Sequence, residues 1–183
     1  MAVILVLQLA GCVSVYKPPK QSVAALDQYL SGAVRGDAQS QNSFGRALMV
    51  GGQGVGRDPL LAQRYLIAAA ERGSASAQSY LAREYFGEIP APLARDAALG
   101  SYWATRAAVQ GDSEAMRALS NCHGQVDSSA FDPIESCKWL KVGYAAHAGG
   151  ACDPKKLGAE PFAEAQRRAV EWRNQNPILV EKP

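Results

Sequence analysis

The chain has 183 residues and a formal charge of +2, with 48% apolar and 20% charged residues. That length and apolar share fit one folded domain with a continuous core. So small a charge leaves no basic footprint for nucleic acid, and no nucleic-acid partner is expected.

In chain order, Ala2 to Leu9 is apolar apart from Gln8 and leads into Leu9-Ala10-Gly11-Cys12. The run is far too short to span a bilayer, and no second apolar stretch is long enough to do so. Small residues immediately precede the cysteine. No Lys or Arg precedes the run, as though the true start lay upstream. These residues resemble a bacterial lipoprotein signal with its lipobox. The resemblance implies removal of residues 1–11 and acylation of Cys12 as the first mature residue. Val13, rather than Asp, follows Cys12. In such lipoproteins this implies sorting to the outer membrane, with the protein facing the periplasm. The alternative is a buried N-terminal helix or strand with a chance cysteine.

Residues 12–21 include Pro18-Pro19 and read as an extended tether, since proline cannot continue a helix. Residues 22–35 are expected to form a helical cap. Three series then run in phase at a spacing of 36 to 38 residues. Gly36-Asp37, Gly73-Ser74 and Gly111-Asp112 make the first. Asp58, Asp96 and Asp132 make the second, each followed seven residues later by an aromatic, Tyr65, Trp103 and Trp139. Gly51, Gly87 and Gly124 make the third. Coincident series at one period signal an internal repeat.

Within each unit two helices are expected. Ala77, Leu81, Ala82 and Tyr85 fall on one helical face, closed at Gly87. Asp96 caps the next helix, which Gly111 stops. Asp58-Pro59 and Asp132-Pro133 place proline at the first helical position, and Glu135 fits a reciprocal capping box with Asp132. The paired alanines Ala69-Ala70 and Ala107-Ala108 let helices approach closely.

This grammar resembles the Sel-one-like repeat, a relative of the tetratricopeptide repeat. The first unit supplies Phe44-Gly45, Gly54-Val55, Asp58, Ala62, Tyr65, Ala69-Ala70 and Gly73. The second supplies Ala77, Leu81, Tyr85, Asp96, Trp103, Ala107-Ala108 and Gly111. The third supplies Ala115, Leu119, Gly124, Asp132 and Trp139. The resemblance implies an all-α, right-handed α-solenoid of about three helix-loop-helix repeats, with helical caps at both ends. The repeat domain would cover residues 22–175, with repeats at 36–73, 74–111 and 112–150. A C-terminal cap at 160–175 would carry Glu164, Arg167, Arg168, Glu171 and Arg173 toward water, and 176–183 would be a tail.

With Cys12 lipidated, Cys122, Cys137 and Cys152 remain, and a periplasmic address permits disulfides. Cys122 near the end of one helix and Cys137 near the start of the next predict a Cys122–Cys137 bond. Cys152 would lie roughly 15–20 Å from Cys137 along a continued helix. The spacing of Cys122, His123, Cys137 and Cys152 matches no zinc knuckle, so no metal is expected. No cofactor is expected either. Gly51-Gly52-Gln53-Gly54-Val55-Gly56 lacks the Gly-Lys-Ser/Thr ending of a phosphate loop and follows a helix. No G-x-S-x-G, H-E-x-x-H or C-x-x-C occurs, no oxyanion hole is in view, and neither an enzyme nor a small-molecule substrate is expected.

In related helix-pair repeats the first helices line the concave surface. Carried onto this sequence, the inward positions are Asn42, Arg46, Ser79, Arg83, Arg117 and Asn121. Arg46, Arg83 and Arg117 would set three positive charges on one surface suited to a protein partner's carboxylates. Lipoproteins with these repeats resemble the immunity proteins paired with antibacterial phospholipase effectors of contact-dependent (type VI) secretion. Two alternatives stand beside that reading: an adaptor for an envelope assembly such as polysaccharide export or secretion machinery, and a regulator of a cell-wall enzyme. Adaptors of the first kind carry more repeats.

Overall fold

The computed structural model describes residues 20–51, 54–89, 94–125, 131–143 and 152–177, with side chains from residue 27. Cys12, the tether before residue 20 and the end of the tail lie outside them. Among the described residues there are nine helices. They are α1 (Lys20–Val34), α2 (Ala38–Val50), α3 (Pro59–Glu71), α4 (Ala75–Tyr85) and α5 (Ala97–Val109). Then follow α6 (Ser113–Gly124), α7 (Pro133–Gly143), the single turn α8 (Pro154–Leu157) and α9 (Ala159–Gln175). Helices α2–α3, α4–α5 and α6–α7 pair as hairpins, each hairpin packs on the next, and α1 and α9 lie at the two ends.

The joints that lead into the three hairpins are built alike. Gly36, Gly73 and Gly111 have φ of 86°, 90° and 87°, the left-handed region that a side chain disfavours. Each glycine N–H reaches back to Ala33, Ala70 or Ala108, and the next N–H reaches Gly32, Ala69 or Ala107. This pair of hydrogen bonds closes a helix end. The residue after each glycine then caps the following helix. Asp37 accepts from Ser40 N–H at 2.7 Å, Ser74 from Ala77 at 3.3 Å, and Asp112 from Ala115 at 2.9 Å. One dipeptide thus ends one helix and starts the next, leaving no slack between repeats.

The hairpin loops differ in sequence yet close in the same way. The N–H of Asp58, Asp96 and Asp132 donates to the carbonyl of Leu48, Tyr85 and His123, at 2.9, 3.0 and 2.9 Å. Each aspartate carboxylate then caps its own helix. Glu135 makes no capping box. Its carboxylate pairs with Lys138 on its own helix and with Arg168 of α9.

Each hairpin crosses on a pair of small residues. A β-carbon on Gly45 would lie 3.1 Å from the Ala62 carbonyl, and one on Gly100 would run into the Phe86 ring. In the third hairpin the corresponding residues are Ser120 and Ser136, buried, with the Ser136 hydroxyl donating to the Ser120 carbonyl at 2.9 Å. The core is correspondingly rich in alanine: Ala62, Ala69, Ala70, Ala104, Ala107 and Ala108 are fully buried. Aromatics fill the gaps. Phe44 meets Tyr65 edge-on at 5.0 Å, and Trp139 meets Trp172 of the terminal helix at 5.3 Å.

The disulfide corrects the sequence expectation. Cys137 is bonded to Cys152, with Cα atoms 4.7 Å apart, and buried Cys122 stands outside that bond. The helix bearing Cys137 ends at Gly143, and α9 packs back against α7. Cys152 therefore returns beside Cys137, where a continued helix would have carried it away. The last helix departs from expectation too. Arg167 and Glu171 face water, but Arg168 reaches Glu135 and Arg173 donates to the carbonyls of Lys141 and Val142.

Candidate partner-binding surface

The six residues expected on the concave face occupy two positions of the repeat. Asn42, Ser79 and Arg117 are in phase, as are Arg46, Arg83 and Asn121. Asn42 and Ser79 are buried, 4% and 5% exposed, so they cannot meet a partner. Asn42 instead donates to the Ser76 hydroxyl at 3.3 Å and ties α2 to α4. Arg117 is long enough to leave the same position for the surface, with a third of its side chain exposed.

Three of the six converge. The pivot is Glu88, just past the glycine that ends the α4 segment, with only 12% of its side chain exposed. Its carboxylate accepts from Arg83 Nε at 3.3 Å and from Asn121 Nδ2 at 2.9 Å, and lies 3.6 Å from an Arg117 nitrogen. Arg117 also pairs with Glu114 at 2.8 Å. The Arg117 guanidinium beside Glu114 holds that carboxyl below the usual range. The cluster spans α4, its loop and α6, and so bridges two repeats.

The expectation of three positive charges on one surface is corrected by these partners. Two arginines face two carboxylates, and the ridge is mixed in charge. Arg46 stands apart from it, exposed, with its guanidinium 5.6 Å from the Tyr80 ring centre. Each surface ion pair contributes little stability singly. Together they hold long side chains in one geometry, which suits a recognition surface because less side-chain freedom is lost on binding.

Several residues of consequence were not singled out from the sequence. Glu88 has no signal in the repeat, because it lies in a loop of unique sequence. Gln41 and Gln78 do have one, each four residues after its cap. Each side chain donates to a carbonyl of the preceding helix, Ala33 at 3.2 Å and Ala70 at 2.8 Å. Glu84 on α4 is 1% exposed, no described residue hydrogen-bonds to either of its carboxylate oxygens, and burial pushes its pKa up to about 7.

The glycine-rich loop after α2 turns its neighbouring donors onto its own hairpin. Arg57 Nε donates to the Met49 carbonyl at 3.2 Å and Asp58 N–H to that of Leu48. Gly52 and Gln53 lie outside the described residues. Among the described residues no group of three or more His, Cys, Asp or Glu could hold a metal ion, and no helix is long and apolar enough to cross a membrane.

No family model matches the sequence, and no curated protein does. Solved structures do. The crystal structure of a Sel1 repeat protein from Oxalobacter formigenes aligns with a TM-score of 0.54 and 26% identity, over 80% of this chain and 98% of that one. A protective antigen present in uropathogenic Escherichia coli strains, which displays an SLR fold, aligns with a TM-score of 0.43 and 17% identity. That match covers 85% of this chain and 42% of the antigen. The chain is an all-α helical-repeat solenoid with the fold of Sel1 repeats.

Proposed function

We propose that this chain is a non-catalytic protein-binding scaffold and, within that class, an immunity protein. It would bind and neutralise an antibacterial phospholipase-type effector of contact-dependent (type VI) secretion. A lipid on Cys12 would hold it at the periplasmic face of the outer membrane. The observation that supports this most is the ridge of Arg83, Arg117 and Asn121 pinned around Glu88 across two repeats. It is a fixed polar surface on slack-free joints. A fold that stacks short repeats makes surfaces of this kind for partners. Location follows from the Leu9-to-Cys12 motif and lies outside the described residues.

Two experiments test the reading. A phospholipase-type effector from the producing strain is directed to the periplasm of a sensitive host. Co-expression of the full chain is expected to restore growth. Unchanged killing, with the chain's own gene set among export or cell-wall genes, would remove the immunity assignment. Separately, Cys12→Ser is expected to abolish acyl labelling and shift the protein to the soluble fraction. Unaltered processing and membrane association would make the motif incidental.

A further inference from the structure

Glu84 is buried in the last turn of α4, and no described residue donates to either of its carboxylate oxygens. That place disfavours a charge. Water is excluded, and the C-terminal end of a helix is the negative end of its dipole. Among the described residues no cation pairs with it. Every buried residue of α3 and α5, which both pack on α4, is apolar. Arg46 of α2 lies over the Tyr80 ring, while Arg83 of α4 and Arg117 of α6 face Glu88. Glu114 of α6 pairs with Arg117. Arg95 lies over Gly87, and Asp96 caps α5. Two phenols of its own helix, Tyr80 and Tyr85, feel the Glu84 charge.

The same turn carries the ridge. Gly87 N–H donates to the Glu84 carbonyl and Glu88 N–H to that of Arg83, both at 2.9 Å. Gly87, with φ of 73°, turns the chain there. Asp96 N–H donates to the Tyr85 carbonyl at 3.0 Å and closes the hairpin. Parting these bonds draws Glu88 away from Arg83, Arg117 and Asn121. An ionised Glu84 favours parting them, because opening one turn hydrates the carboxylate without unfolding the stack, and local openings need less free energy than global ones.

We propose that Glu84 is a proton latch on the Glu88 ridge. Protonated, it lets the end of α4 close and the ridge assemble. Ionised, it drives that turn open and the ridge apart. As regulation of the partner surface, the latch rests on the reading of the ridge as that surface. The closed turn holds its proton up to about pH 7, and the open, hydrated turn releases it near 4.5. Opening therefore grows through that window and levels off above it. Glu114, held below the usual range, keeps its charge there.

Residue-resolved hydrogen exchange on the full chain, corrected for intrinsic rates, tests this. Opening at the Glu88 and Asp96 amides is expected to rise about tenfold per pH unit from 4.5 to about 7. The Asp58 amide, which makes the equivalent bond in the first hairpin, is expected to stay flat. Glu84→Gln and Glu84→Ala are each expected to flatten the rise. Alanine stands at the corresponding position 47 of the first repeat, so the second variant is expected to pack. A flat profile in the native chain, an equal rise at Asp58, or a rise that survives both substitutions would overturn the latch. The assay needs no effector: a flat profile removes the latch and leaves the ridge, whereas an effector that ignores the ridge removes the partner surface and leaves the exchange profile to decide the latch.

Discussion

Glu84 is the residue whose chemistry and surroundings disagree most. Its counterparts in the first and third repeats are Ala47 and Cys122, so no other repeat puts a carboxylate there. Glu135 is also partly buried, and burial works against its charge, but Lys138 and Arg168 outweigh that and hold its carboxyl below the usual range. Glu84 has no such partners among the described residues, and burial raises it from 4.5 to about 7. The sign follows from proton uptake. Between pH 4.5 and about 7 the folded state holds a proton that the unfolded state has lost, so stability falls as pH rises through that window. A shift of this size corresponds to about 3 kcal/mol. Glu84→Gln is therefore expected to be more stable than the native chain at pH 8 and to gain little near pH 4.5. Urea unfolding at the two pH values measures this. An equal pH dependence in both proteins would contradict it. Tyr80 and Tyr85, raised by burial and then by the Glu84 charge, are expected to titrate lower in the same variant.

At the scale of elements, the hairpin crossings and the terminal staple carry the structure. Gly100 lies under the Phe86 ring. Gly100→Ala is expected to cost about 1–3 kcal/mol, as overpacking of a tight core does, while alanine at exposed Gly56, where nothing lies nearby, costs much less. Thermal unfolding of the two variants compares them. The Cys137–Cys152 bond closes 15 residues and ties α7 to the chain entering α9. Its removal by Cys152→Ser is expected to cost about 3 kcal/mol. Mass mapping of the non-reduced protein should return these two cysteines in one linked peptide, and a Cys122–Cys137 peptide would contradict the structure. Helices and joints were legible in the sequence because each is fixed within a few residues: glycine supplies the left-handed turn and the following Asp or Ser supplies the cap. The disulfide was not, because it depends on where the chain goes after Gly143. The surface was legible only in phase. Periodicity grouped Asn42 and Ser79 with Arg117, but side-chain length decided that only the last reaches solvent. Nothing periodic announced Glu88, which gathers that surface.

The whole molecule is a short stack of repeats whose neighbours are locked at one-dipeptide joints. In such an array each unit contacts its neighbours, and the functional surface is what adjoining units present together. The Glu88 ridge meets that condition by drawing on α4 and α6 at once. The most direct test titrates the phospholipase activity of a purified effector from the producing strain with the full chain, wild type and Arg83→Ala/Arg117→Ala. The account predicts complete loss of activity at one chain per effector and, as for buried-charge contacts at an interface, about tenfold or greater weakening in the double variant. Full activity at saturating wild-type chain, or equal inhibition by the double variant, would contradict it.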